Sequence, residues 1–123
     1  MDAYLGTFVV DDDVNVMRLE VTDSDGSPWG TAVSTGWTVE LEVRKAGVQT
    51  LLTTLTGSWE DATEAAALFT IGTVAALEPA AGLESQDYEA LLKLTKVTNV
   101  ARLGAGNNTD GVVPFCFKVR AWP

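Results

Sequence analysis

The chain has no histidine. That removes the commonest general acid/base near neutral pH and the commonest metal ligand. It has a single cysteine, Cys116, so no disulfide can close within the chain. With one cysteine and no histidine, a zinc site of those ligands cannot be assembled from one copy, and a cysteine–histidine nucleophile is excluded. One unpaired cysteine also fits folding in a reducing cytoplasm. Cations are scarce: 8 Lys and Arg stand against 17 Asp and Glu, for a net charge of −9. Acidity on that scale argues against contact with nucleic acid, whose phosphates draw basic patches. No window offers ~18 uninterrupted apolar residues. The first thirteen residues (MDAYLGTFVVDDD) lack a basic segment followed by an apolar core, so neither a membrane span nor a signal peptide is expected.

What is present has period two almost everywhere. The 123 residues suffice for one domain, 1–123, that folds without disulfides or metal. Residues 4–10 (YLGTFVV) are β-branched and aromatic and read as a first strand. In 14–22, Met17, Leu19 and Val21 share one face and Arg18, Glu20 and Thr22 the other. "DSDGSP" at 23–28 is dense turn chemistry. Residues 37–44 (WTVELEVR) alternate most cleanly, with Trp37, Val39, Leu41 and Val43 on the core side. "KAG" at 45–47 reads as a tight hairpin turn and 48–56 as the next strand, ended by Gly57-Ser58.

Trp59 to Glu64 reads as a loop. Residues 65–72 (AAALFTIG) divide between helix-favouring Ala and Leu and strand-favouring Phe69, Thr70 and Ile71; a strand is expected. One short helical turn is expected around 73–78, before Pro79 and Gly82 break it. Residues 86–98 carry Tyr88, Ala90, Leu92 and Leu94 at period two, and 104–111 (GAGNNTDG) read as a loop. The last strand is 112–122, with Phe115, Phe117, Val119 and Ala121 on one face and Cys116, Lys118 and Arg120 on the other. The expected fold is all-β: a single antiparallel, immunoglobulin-like β-sandwich of about seven strands with at most one short helical turn.

No catalytic constellation is assembled. The aspartates at 11–13 and at 23 and 25 could offer oxygens to calcium, but "DSDGS" falls short of an EF-hand loop, so capped turns are the expected role. "GAGNNTDG" lacks both the glycine spacing of a dinucleotide loop and the lysine of a P-loop. Asn107-Asn108-Thr109 is formally a glycosylation sequon but reads as loop polarity. Acidic residues are so widely spread that any pair of carboxylates is easy to find, and none marks a glycoside-cleaving site. Cys116 is expected to be a structural thiol. No cofactor or metal is expected, and the chain is not read as an enzyme.

The tryptophans are the better candidates. Trp37 opens a strand with inward parity and belongs to the core. Trp29, Trp59 and Trp122 lie in or beside loops or at the terminus. Each either closes an open end of the sandwich or meets a partner, since aromatics are enriched at interfaces.

"VTDSDGSP" at Val21–Pro28, "WTVELEVR" at 37–44 running into "KAG", and "DYEALLKL" at 87–94 after "AALEPAAG" form a familiar order. The pattern resembles the immunoglobulin-like domain of tailed-phage structural proteins, such as the N-terminal domain of the baseplate upper protein family. It spans roughly residues 14–121, and its motifs are mainly fold punctuation. Gly82 stands further back from the Tyr88 strand than in the family pattern.

The resemblance implies a non-enzymatic virion component, made in the bacterial cytoplasm, that docks in multiple copies on other virion proteins. Those partners are the major capsid protein or tail and baseplate proteins, with no nucleic acid and no membrane. A stand-alone acidic domain leads us to expect a capsid decoration protein. A tail, neck or baseplate adaptor is the alternative. A carbohydrate- or calcium-binding sandwich module, using Trp29 or Trp59 or the aspartate clusters, is the second.

Overall fold

A computed structural model describes residues 4–9, 16–20, 36–61, 66–71, 74–104, 106–108 and 111–121. These form eleven strands: β1 Tyr4–Val9, β2 Val16–Glu20, β3 Thr38–Lys45, β4 Thr53–Thr56, β5 Ser58–Asp61, β6 Ala66–Thr70, β7 Ser85–Lys96, β8 Asn99–Leu103, β9 Gly106–Asn108, β10 Gly111–Val113 and β11 Phe115–Arg120. Among the described residues the single helical element is a 3-10 turn, Ala75–Leu77, inside the segment expected to hold one. No helix among the described residues is long and apolar enough to cross a membrane.

Nine of these strands build two sheets around one core, and β9 and β10 form a separate two-stranded sheet. The larger runs β1-β11-β7-β3-β4 with β8 added beside β7, and the smaller runs β2-β6-β5. Along β3, Val39, Leu41 and Val43 are buried and the residues between them are not. β7 repeats this with Tyr88, Ala90, Leu92 and Leu94, and β11 with Phe115, Phe117 and Val119. Met17 and Leu19 from β2 and Phe69 from β6 meet them from the smaller sheet. This is the packing of an all-β sandwich, with polar side chains outward along each strand. Phe117 holds one end together: its ring stacks on Tyr88 at 5.4 Å between centroids and meets the edge of Phe8 at 6.0 Å. Such ring pairs contribute ~0.5–1.5 kcal/mol each beyond their burial.

Four expectations about the strands are corrected. First, the sandwich is not wholly antiparallel, because β1 lies parallel to β11, with a register shift between Tyr4 and Thr7. Second, residues 59–64 do not begin as a loop. Gly57 does follow the end of β4, as expected, but Ser58 already begins the next strand: the chain passes through Gly57 from β4 in the large sheet directly into β5 in the small one. Gly57 N–H still donates to the Val39 carbonyl at 2.9 Å, so the corner stays tied to β3. Third, the 48–56 strand begins only at Thr53. The turn at Lys45–Val48 does form, with Gly47 at φ +79° and Val48 N–H donating to the Lys45 carbonyl at 3.0 Å. Residues 48–51 then run outside the ladder, and Leu52 N–H donates to the Val43 carbonyl at 2.8 Å just before β4 begins.

Fourth, the chain after β7 turns back sooner than expected. Val97-Thr98 makes a two-residue hairpin into β8, with Lys96 opposite Asn99. The expected 104–111 loop and 112–122 strand become the small β9–β10 hairpin and then β11, with Pro114 between β10 and β11. Proline lacks the N–H that a continuous ladder would need there.

Candidate docking surfaces

Of the three tryptophans singled out as interface candidates, Trp59 falls among the described residues; Trp29 and Trp122 lie outside them. Trp59 sits on β5, half-buried, and its ring packs on the core beside Trp37. Its indole N–H donates to the Trp37 carbonyl oxygen at 3.0 Å. The bond spans the junction between the two sheets, just beyond the Gly57 corner. Trp59 thus spends its polar atom within its own chain, a role that sequence spacing gives no sign of. Trp37 packs against the core, in line with its inward parity.

The aspartates at 11–13, 23 and 25 also lie outside the described residues. Among the described residues, no group of three or more Asp, Glu or Cys is placed to share a metal ion. Cys116 is half-buried on the outer face of β11. Burial pushes its thiol pKa up, and the nearby Glu89 and Asp87 carboxylates push it further the same way. A thiol held protonated is a poor nucleophile.

The outer face of the large sheet has a charge pattern that the linear sequence conceals. Cross-strand register sets Arg44 opposite Glu89, Glu40 opposite Lys93, and Asp87 opposite Lys118. Arg102 on β8 reaches diagonally to Glu42 and donates to its carboxylate at 2.7 Å. That bond lowers the Glu42 pKa; burial opposes it, and the charges of Arg102, Lys93 and Arg44 reinforce it. The face therefore carries five cations, Arg44, Lys93, Arg102, Lys118 and Arg120, against four carboxylates, Glu40, Glu42, Asp87 and Glu89. Its net charge is +1 in a chain of −9, which leaves −10 for all other positions. Opposite charges paired across strands stabilise a sheet modestly and leave little net field over it. On the small sheet, Arg18 similarly spans Glu20 at 2.7 Å and Glu60 at 2.8 Å.

Among the described residues, a dense core thus lies beneath an outer face of the large sheet whose charges nearly cancel. Compared with known proteins, the chain matches no protein-family model and no curated protein in sequence.

Proposed function

We propose that this chain is a non-enzymatic structural protein of a bacteriophage virion that acts by docking on other virion proteins, with capsid decoration as the specific role. The observation that carries the proposal is the placement of the motifs behind the phage resemblance. "WTVELEVR" forms β3 and "DYEALLKL" lies in β7, and these two strands pair along their length at the centre of the large sheet, from Thr38 opposite Thr95 to Lys45 opposite Tyr88. Two of the motifs are thus neighbours in one sheet, an arrangement that supports the reading. The third motif, Val21–Pro28, lies outside the described residues.

Two further features support a docking role. The −9 charge keeps free copies soluble and apart until they meet a partner. The one tryptophan described among the sugar-stacking candidates, Trp59, already packs on the core and has its N–H engaged, which weighs against the carbohydrate-binding alternative.

The test is sedimentation of purified phage particles from infected cultures, followed by immunogold labelling with antibody to this chain. The expected result is cosedimentation with intact particles and label over the head. Label on the tail, neck or baseplate would replace decoration by an adaptor role. Persistent absence from purified particles would overturn the virion reading.

A further inference from the structure

The β7–β8 hairpin turns on Val97-Thr98, with Lys96 opposite Asn99. Two-residue turns of this kind favour glycine, asparagine or aspartate where φ is positive. Here that position holds Val97, at φ +56°. The residue is also 89% exposed, the most open of the large apolar residues described. Val100, three positions on, is 49% exposed. The free chain thus holds a β-branched residue in a disfavoured conformation and covers it with nothing. Strain of this sort clusters at sites that bind or switch.

Charge marks the same place. From Ala90 to Thr109 the chain has three cations, Lys93, Lys96 and Arg102, and no carboxylate. That stretch is +3 in a chain of −9, which leaves −12 for all other positions. Lys93 sits opposite Glu40 and Arg102 donates to Glu42, so both charges are answered within the sheet. Lys96 is exposed and has no ion pair among the described residues. The turn therefore presents an open valine beside an unanswered ammonium, at the end of the longest described strand.

We propose that the β7–β8 tip is the docking contact of this chain, with Val97 entering an apolar socket on a virion protein and Lys96 facing carboxylates at the socket's border. The proposal rests on the virion reading and names the contact within it. Charge selects the partner. A basic surface is drawn to the carboxylates elsewhere on the chain and repelled by Lys96. An acidic one repels the rest of the chain and admits this tip, so charge also sets the direction of approach. A valine is stiff at χ1, and this one is already fixed by the turn. A socket that takes it loses little to further ordering.

The test is rebinding of the full chain to particles purified from a phage that lacks it, read as chain in the particle pellet across a concentration series. Wild type should bind saturably. Val97→Asn suits the turn and removes the apolar anchor, so affinity should fall at least about tenfold while the fold is kept. Val48→Asn, at another open valine, should bind like wild type. Lys96→Glu should weaken binding most at low salt, where charge acts over the longest range. A Val97→Asn variant that binds like wild type, or a Val48→Asn variant that loses as much, overturns the tip and leaves the virion reading standing. A Lys96→Glu variant unaffected at low salt overturns the acidic partner. Wild type that does not bind overturns the virion reading and this contact with it. If Val97→Asn fails to fold, Val97→Gly, which tolerates the same φ, takes its place.

Discussion

A side chain added at Gly57 would place its Cβ 2.6 Å from Cε1 of Phe69 and 2.8 Å from Cζ. Phe69 is fully buried on the central strand of the small sheet and has nowhere to retreat. The φ of Gly57 lies outside the left-handed region, so the constraint is space and not backbone conformation. The chain can turn from one sheet to the other because this ring rests against a bare Cα. Gly57→Ala should cost about 1–3 kcal/mol, the usual penalty for overpacking a core. Chemical denaturation checks this. Adding Phe69→Leu to Gly57→Ala should cost less than the two single losses summed, because the smaller side chain relieves the clash.

Tyr88 carries the only polar atom on the buried face of β7, and its hydroxyl donates to the Leu77 carbonyl at 2.8 Å. That bond ties the 3-10 turn to the large sheet. Tyr88→Phe should cost about 1–2 kcal/mol by leaving a buried carbonyl unpaired. Burial also raises the phenol's pKa above its ordinary value of 10.0. The fold prefers the neutral phenol, so this stabilisation is complete below pH 10 and is lost as pH climbs through the raised value. Denaturant midpoints measured across alkaline pH should fall more steeply for wild type than for Tyr88→Phe.

Glu42 gives the opposite limb. Its pKa is held below the ordinary 4.5, chiefly by the hydrogen bond from Arg102. The stabilisation is therefore present above pH 4.5 and is lost as pH falls through the lowered value. Glu42→Gln should show a small loss near neutral pH, well below that of Tyr88→Phe, and the difference from wild type should vanish in acid. Added salt should shrink it as well.

Val97 stands at the tip of the β7–β8 hairpin with φ +56° and 89% of its surface exposed. A β-branched residue in the left-handed region is strained by roughly 1–2 kcal/mol. No packing at this tip repays the strain. Val97→Asn keeps the hairpin and tolerates the conformation, so it should raise stability by roughly 0.5–1 kcal/mol. A shift of the thermal midpoint upward, with unchanged circular dichroism, is the expected reading.

β11 lies between β1 and β7 and buries Phe115, Phe117 and Val119. Deleting Gly111–Pro123 should abolish folding outright, with no strand signal by circular dichroism and no cooperative melting.

Much of this architecture was legible in the sequence. The alternation of residues 37–44 and 112–122 assigned the inward faces of β3 and β11 correctly, because a strand with one wet side writes its pleat into its composition. The strand at 65–72 and the turn near 75–77 were legible through Phe69, Ile71 and Pro79. The failures have physical causes. Gly57 reads as a stop and does follow the end of β4, but the direct entry into β5 was missed because the corner depends on Phe69, twelve positions away in sequence. The Val97-Thr98 turn contains no glycine, asparagine or proline, so the return strand β8 has no announcement. The parallel β1–β11 pairing joins opposite ends of the chain and has no local signature. The outer-face charge pairs and the Trp59 bond to Trp37 likewise exist only once register is set.

β8 and β11 both pair with the same edge of β7, one after the other. Leu103 sits opposite Leu92 and Phe115 opposite Ala90, so a single residue facing Leu91 would suffice to make them one unbroken strand. The chain instead spends residues 104–114 there, leaving the sheet and rejoining it almost where it left. Segments whose ends meet this closely cost little to lengthen or replace. The sandwich thus carries a built-in port, where a foreign peptide could be presented, or an evolving lineage could change what it touches, without moving one residue of the core.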